Sequence, residues 1–162
     1  MIAQGVDPTT LDTQNQQETP ASVVASHLFD TLVERDQNLK IVPALAAELP
    51  KLVAPTTWEV KLRRGVKFHN GEAFNAESVK WSLERVKAGL RASSNFRPIE
   101  KVDIVDPYTV RVQTSKPWPT FTTIMTFRQA SMYPPKAYAG KDSAFISKNP
   151  IGTGPYKLVR WS

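Results

Sequence analysis

The sequence predicts an α+β fold, in which a mixed sheet carries two helices packed on it. Apolar residues recur at helical spacing in PASVVASHLFDTLVER (20–35) and again in NAESVKWSLERVKAGLRA (75–92). Apolar and polar residues alternate in TWEVKLR (57–63) and in IEKVDIVDPYTVRVQTS (99–115), as they do in half-buried strands. At 162 residues the chain is long enough to bury one hydrophobic core around these elements.

The two helices are predicted to span residues 19–34 and 75–90. Thr19 is a suitable N-cap, and Pro20 is favoured as a first helical residue. Asn75 is the predicted N-cap of the second helix, where Glu77 adds a favourable negative charge in the first turn. The apolar stripe of each helix is expected to pack on the sheet.

The remaining elements are predicted from shorter patterns. Residues 99–115 form a hairpin around Asp106-Pro107, with Val102, Ile104, Val110 and Val112 as its inward side chains. The other expected elements are a strand stub at Ile2–Gln4, a polar loop at 6–19, a helical turn at 44–47, a short helix in PWPTFTTIMT (117–126), a strand in FRQASMY (127–133), two helical turns in 134–148 and a strand over Tyr156–Trp161.

Composition excludes several kinds of function. The chain has no cysteine, which rules out disulfides, thiol catalysis and thiolate metal sites. The net charge is +6 and the pI about 9.7, but the 21 basic residues are scattered. Nucleic-acid binding requires a focused basic patch, so it stays a less favoured alternative. No apolar run approaches the roughly 20 residues of a membrane-spanning helix.

The stretch VKFHNGEAFNAESV (66–79) holds the residues that most resemble an active site. His69, Glu72, Glu77 and Ser78 suggest a hydrolase, but a triad needs a third member within reach. Asn70-Gly71 is a turn signal, and glutamates are favoured at a helix start without any catalytic role. The stretch is therefore interpreted as a strand-to-helix connection, with no catalytic residue, no metal site, no cofactor and no enzymatic activity expected.

Two further motifs are ambiguous in the sequence. GTGP (152–155) is similar to a phosphate loop, but YKLVRW after it reads as a strand where such a loop requires a helix. Phe96 lies among polar neighbours in SSNFRP (93–98), outside any apolar stripe. With Arg97 it is a candidate for facing a ligand, and the alternative is an ordinary loop residue.

The order of motifs along the whole chain resembles that of a known family. DPTTLDTQ, HLFDTLVERD, VPALAAEL, TWEVKLRRGVKFHNGEAFNAESVKWSLERV and NPIGTGPYKLVRW follow one another as they do in the family 5 extracellular solute-binding proteins. The most specific parts are LRRGVKFHNG with its following capped helix, and PIGTGPYKL. These proteins are the receptors of ABC importers for peptides, nickel and similar solutes.

The resemblance implies a periplasmic-binding-protein-like fold (type II, family 5) of which this chain is the N-terminal third. Residues 1–20 would begin the first lobe, 21–126 would form the extra subdomain, and 127–162 would return into the first lobe. The implied function is capture of a peptide or similar small solute in the periplasm for ABC permease subunits. The second lobe would be missing, so the alternatives are a fragment without ligand binding and a homodimer.

The resemblance also suggests which residues touch the solute. The loop after the first strand is expected to line the cleft, which singles out Gln16 and Gln17. The loop before the hairpin adds Phe96 and Arg97, and the segment returning toward the hinge adds Arg128 and Gln129. An arginine in this set is suited to pair with a solute carboxylate in forked geometry.

Overall fold

The computed structural model describes residues 5–88, 91 and 93–160. The strand expected at Ile2–Gln4 lies outside these residues. In chain order the helices are α1 (Thr19–Leu28), α2 (Ala76–Lys87), α3 (Phe121–Ile124), α4 (Pro135–Tyr138) and α5 (Ser143–Lys148), and the strands are β1 (Val33–Arg35), β2 (Ile41–Pro43), β3 (Lys51–Ala54), β4 (Thr57–Lys61), β5 (Ile99–Asp106) and β6 (Thr109–Thr114). Short 3-10 turns occupy Thr13–Asn15, Ser93–Phe96 and Arg128–Ala130.

The strands form a two-stranded sheet, β1-β2, and a four-stranded sheet in the order β3-β4-β6-β5. The α+β class is confirmed, but every strand pair in the described ranges is antiparallel, where a mixed sheet was expected. Only two residues separate β3 from β4 and β5 from β6. Connections this short force antiparallel pairing, because a parallel pair needs a long crossover.

Helix α2 begins where the sequence predicts. The Asn75 side chain accepts hydrogen bonds from the backbone N–H groups of Glu77 and Ser78, and the Ser78 hydroxyl accepts one from the Asn75 N–H. The buried face of the helix packs against β5 and β6. The helix ends at Lys87, and the end of the predicted range falls on residues that the structure does not describe.

Helix α1 is shorter than predicted, since it ends at Leu28 and not at residue 34. Phe29 is already extended, with φ −129° and ψ 143°. The carbonyl groups of His27 and Leu28 accept hydrogen bonds from Tyr156 and Gly154, whose N–H groups lie 3.0 Å away in each case. These tertiary hydrogen bonds take the place of the ones that a continued helix would form. The apolar residues after Leu28 therefore lead into β1 and not into a longer helix.

Three further expectations from the sequence are corrected. Residues 44–47 form no helical turn: the N–H groups of Ala44 and Ala46 both donate to the Leu32 carbonyl, so the chain bends around this oxygen. FRQASMY forms a 3-10 turn and then irregular chain, not a strand. The segment from Tyr156 has no strand partner as far as residue 160, where the described chain ends.

The hairpin β5-β6 is confirmed, but one of the four side chains predicted to point inward, that of Ile104, does not. Val102, Val110 and Val112 are fully buried, whereas Ile104 is 43% exposed. The register shifts between Ile104 and Asp106, and such a bulge re-aims side chains near the end of a strand. β3, between Pro50 and Pro55, is not among the strands predicted from the sequence.

The hydrophobic residues form two clusters. The first lies between α2, the four-stranded sheet and α3, and the second lies between α1, α4, α5 and the loop at residue 11. The apolar stripe of α1 therefore packs in the second cluster and not on the sheet, as was predicted for both helices. The buried members of the second cluster are Leu11, Ala25, Leu28, Phe29, Tyr133, Tyr138 and Ile146. Of the helices in the described ranges, none is long and apolar enough to cross a membrane.

Candidate functional site

The polar loop before α1 is anchored by a buried carboxylate. Asp12 is fully buried, and its two oxygens accept hydrogen bonds from the Arg85 guanidinium at 2.5 and 3.0 Å. The Ser143 hydroxyl donates to Asp12 Oδ2 at 2.5 Å, and the Tyr133 hydroxyl donates to Oδ1 at 3.2 Å. A charge removed from water is tolerated when it is paired and hydrogen-bonded in this way.

Gln14 extends this group toward α2. Its Oε1 accepts from Arg85 Nη1 at 2.8 Å, and its Nε2 donates to the Ser82 carbonyl at 2.9 Å. We call Asp12, Gln14, Arg85, Tyr133 and Ser143 the Asp12 network. It joins the loop, α2, the segment before α4, and α5, so the backbone that follows at residues 15–18 is held in place.

Burial raises the pKa of Tyr133 well above the ordinary tyrosine value, and the negative charge of Asp12 raises it further. Burial also raises the pKa of Tyr138, whose hydroxyl donates to the Asn149 carbonyl. Both groups therefore remain protonated in the folded chain under conditions in which tyrosines of the unfolded chain ionise.

This difference predicts a loss of stability in alkali. Above a pH of about 10, the unfolded chain releases tyrosine protons that the folded chain retains, so the free energy of unfolding falls as the pH rises. Urea titrations at increasing pH should show this fall. Tyr133→Phe should make it shallower, and so should Tyr138→Phe, because each substitution removes a group whose pKa is raised by burial. Equal slopes in all three proteins would contradict the prediction.

Two of the predicted site residues, Gln16 and Gln17, lie in the chain shortly after Gln14 of the Asp12 network. The side chain of Gln16 is buried, accepts from the Glu18 N–H at 2.6 Å and donates to the Ser22 hydroxyl at 3.2 Å, which fixes the entry into α1. Gln17 is exposed, and its Nε2 donates to the Arg91 carbonyl at 3.0 Å. Gln16 therefore shapes the loop, and Gln17 presents a polar side chain on its surface.

Arg128 and Gln129 lie on the 3-10 turn that packs against this loop. Gln129 Nε2 donates to the Gln16 carbonyl at 3.3 Å, which brings the two predicted segments into direct contact. Arg128 is half-buried and donates through Nη1 to the Phe29 carbonyl at 3.2 Å. Within the described part of the chain it has no carboxylate within ion-pair distance. We call Gln17, Arg128 and Gln129, together with the Gln16 carbonyl that Gln129 contacts, the amide–arginine surface.

Phe96 does not join this surface. Its ring is completely buried in the first hydrophobic cluster, together with Ile99 and Val86, so it is not available to a ligand in this structure. Its polar sequence neighbours in SSNFRP had suggested an exposed ring. The chain forms a short 3-10 turn there, and the Phe96 side chain is directed into the core. Arg97 next to it is exposed.

His69 is bound to backbone groups of the GTGP segment. The Gly152 N–H donates to Nδ1 at 3.3 Å, and Nε2 lies 2.8 Å from the Gly154 carbonyl, so the hydrogen-bond network places the proton on Nε2. The His69 N–H also donates to the Gly152 carbonyl at 2.9 Å. Both ring nitrogens are thus used to join two segments, which supports the structural interpretation of this histidine.

No group of three or more potential metal ligands is found in the described residues. The Asp12 network itself was not found from the sequence. Its members lie up to 131 residues apart, and only the isolated Asp12 in a polar loop and Arg85 in a helix gave any signal. Neither residue type is unusual at such a position.

Comparison with known proteins decides the family. The sequence profile of bacterial extracellular solute-binding proteins, family 5 Middle, matches residues 40–162. The chain belongs to family 5. The resemblance found in the motifs is thereby confirmed, and the relatives of this family 5 chain are solute-binding proteins. The glutathione-binding protein GsiB of Salmonella choleraesuis is 34% identical over 100% of this chain.

Solved family 5 structures share the fold. NikZ from Campylobacter jejuni, in complex with Ni(L-His), matches 97% of this chain with a TM-score of 0.86 and 28% identity. MoaA from A. tumefaciens R10, in complex with mannopinic acid, matches 95% with a TM-score of 0.86 and 26% identity. The chain spans about a third of these proteins: 32% of GsiB, 32% of NikZ and 33% of MoaA.

Proposed function

We propose that this chain is part of a receptor that captures a peptide or similar small solute in the periplasm and delivers it to ABC permease subunits. Membership of family 5 supports this proposal. Relatives are described with glutathione, Ni(L-His) and mannopinic acid, all small solutes that carry carboxylates. Capture and release of such a solute need binding groups and domain closure, and no covalent chemistry.

The two hydrophobic clusters support a division of the chain into two parts of the receptor. The buried members of one cluster come from residues 11–29 and 133–146, and those of the other come from residues 32–132. Trp81 also packs against the former cluster, and Ile151 packs against both. The sequence suggested boundaries near 20 and 126. We now propose boundaries near 30 and 132, so that α1 belongs to the first lobe together with the returning segment.

The amide–arginine surface is the proposed solute-facing wall. The observation that carries this assignment is Arg128, a half-buried cation held by one backbone carbonyl and lacking an ion-pair partner among the described residues. Its remaining N–H groups are suited to a carboxylate in forked geometry. Gln129 and Gln17 would add neutral donors and acceptors. Arg97, exposed directly after the 3-10 turn Ser93–Phe96, is proposed as a further solute contact.

A single wall binds weakly. Small-solute sites bury most of the ligand between concave surfaces, and the relatives are three times longer than this chain. The dissociation constant expected for this chain alone is therefore on the order of 1 mM.

A chain without any solute binding is the alternative to this proposal. A homodimer is a further prediction, which light scattering at several concentrations tests.

Arg128→Met tests the proposed carboxylate contact. We expect titration with glutathione, followed by NMR, to show at least ~10-fold weaker binding to the variant, because a charge-assisted hydrogen bond contributes about 1.5–3 kcal/mol. Glutathione with both carboxylates amidated should bind equally to both proteins. Arg63→Met is the matched control, since Arg63 also donates to one backbone carbonyl, that of Pro43. Unchanged affinity in Arg128→Met would contradict the assignment.

A further inference from the structure

Asn70 and Gly71 lie at the tip of the turn between the Val66–Phe68 stretch and α2, and both are exposed. Gly71 has φ 87°, and there is open space around the position where a Cβ would stand. Its N–H donates to the Phe68 carbonyl at 2.9 Å, and Asn70 Oδ1 accepts from the Glu72 N–H at 3.1 Å. Among the six asparagines of the sequence, Asn70 alone is followed by glycine.

We propose that Asn70 is a site of spontaneous covalent modification, at which the side-chain amide is lost by cyclisation onto the Gly71 nitrogen. The Gly71 nitrogen loses its proton to solvent base and bonds to Cγ of Asn70. The Cγ–Nδ2 bond breaks, and Nδ2 leaves as ammonia after taking a proton from water. Water then opens the five-membered imide at either carbonyl, which leaves aspartate or isoaspartate at position 70.

The local structure favours this reaction at Asn70. Glycine has no Cβ to obstruct the approach of its nitrogen, and its backbone reaches conformations closed to other residues. Only the hydrogen bond from Gly71 to Phe68 has to open, in an exposed turn. The Glu72 N–H on Oδ1 draws electron density from Cγ and so makes the amide a better electrophile.

The other asparagines are protected by their neighbours. Asn149 precedes a proline, which has no N–H to supply the nucleophile. Asn75 is held as the cap of α2, where the next residue is already helical. Asn15 donates through Nδ2 to the Ser143 hydroxyl. Asn38 and Asn95 are followed by Leu39 and Phe96, whose side chains crowd the attacking nitrogen.

The modification would weaken the contact that holds the GTGP segment. His69, immediately before Asn70, binds Gly152 and Gly154 through its backbone and its ring. Isoaspartate adds a methylene to the main chain directly after His69, which displaces either the turn or these bonds. Ageing of the protein would therefore loosen residues 152–156 from the rest of the chain.

The test compares the aged chain with an Asn70→Gln variant, which keeps the neutral amide but forms the imide ring far less readily. Both are incubated in mildly alkaline buffer, with mildly acidic samples as slow references. Peptide mapping by mass spectrometry then locates the conversion of amide to acid, with fragmentation that distinguishes isoaspartate. Hydrogen exchange of residues 152–156 is measured on the same samples.

We expect conversion at Asn70 before any other asparagine, absence of conversion in Asn70→Gln, and faster exchange at residues 152–156 only in the aged original chain. An Asn70 amide that survives as long as those of Asn38 and Asn95 would overturn the assignment of the site. Conversion without any change in exchange would overturn the structural consequence. Earlier conversion at another asparagine would also contradict the proposal.

Discussion

Arg85→Met is expected to lower the free energy of unfolding by about 3–5 kcal/mol, the range observed when one partner of a buried ion pair is removed. Asp12 is completely buried, and methionine would leave its carboxylate without a counter-ion. Gln14 Oε1 would lose its donor as well. Urea denaturation measured by tryptophan fluorescence would give the change.

An ion pair on the same helix provides the control. Lys80 and Glu84 lie 3.8 Å apart with side chains 40% and 50% exposed, so Lys80→Met should change the free energy of unfolding by no more than about 0.5 kcal/mol. Adding Asp12→Asn to Arg85→Met removes the unpaired buried charge, so the double variant should regain part of the lost free energy of unfolding. If Arg85→Met were as mild as Lys80→Met, the Asp12 network would not anchor the loop.

Gly152→Ala is the second substitution with a large expected effect. A Cβ at this position would overlap the Leu28 carbonyl oxygen and lie 2.7 Å from Cδ1 of Phe29 and 2.9 Å from the Leu28 carbonyl carbon. Since the obstacle is mostly backbone at the end of α1, it cannot rotate away. We expect a loss of about 3 kcal/mol in the free energy of unfolding.

Gly5→Ala is the matched control for that loss. No atom lies within 4 Å of a Cβ built at Gly5, so the change should stay within about 0.5 kcal/mol. Thermal unfolding of the three proteins in parallel distinguishes the outcomes. A Gly152→Ala protein as stable as Gly5→Ala would show that the GTGP segment does not lie against α1.

The contrast between α2 and α1 shows what the sequence was able to predict. α2 carries its own capping residues, Asn75 and Ser78, and its own apolar stripe, so local signals determine where it starts. The end of α1 is determined by Gly154 and Tyr156, which donate to its last carbonyls from more than 120 residues further along the chain. The apolar spacing continued past Leu28 and gave no sign of that contact.

The candidate site shows the same limit. Gln129 donates to the Gln16 carbonyl, and both segments were singled out by the family resemblance and not by local pattern. Phe96 was misjudged because burial depends on the path of the whole chain and not on polar neighbours in sequence. The Asp12 network escaped detection because its residues come together only in the folded chain.

Gln17, Arg128 and Gln129, with the Gln16 backbone, are the proposed solute-facing wall. Its position can be mapped by NMR chemical-shift changes, residue by residue, as glutathione is added to the isotope-labelled chain. Full-length GsiB of Salmonella, titrated in parallel, verifies the probe. We expect the largest changes on these four residues and their immediate neighbours. Changes confined to another surface, or no change at concentrations that saturate a millimolar site, would contradict it.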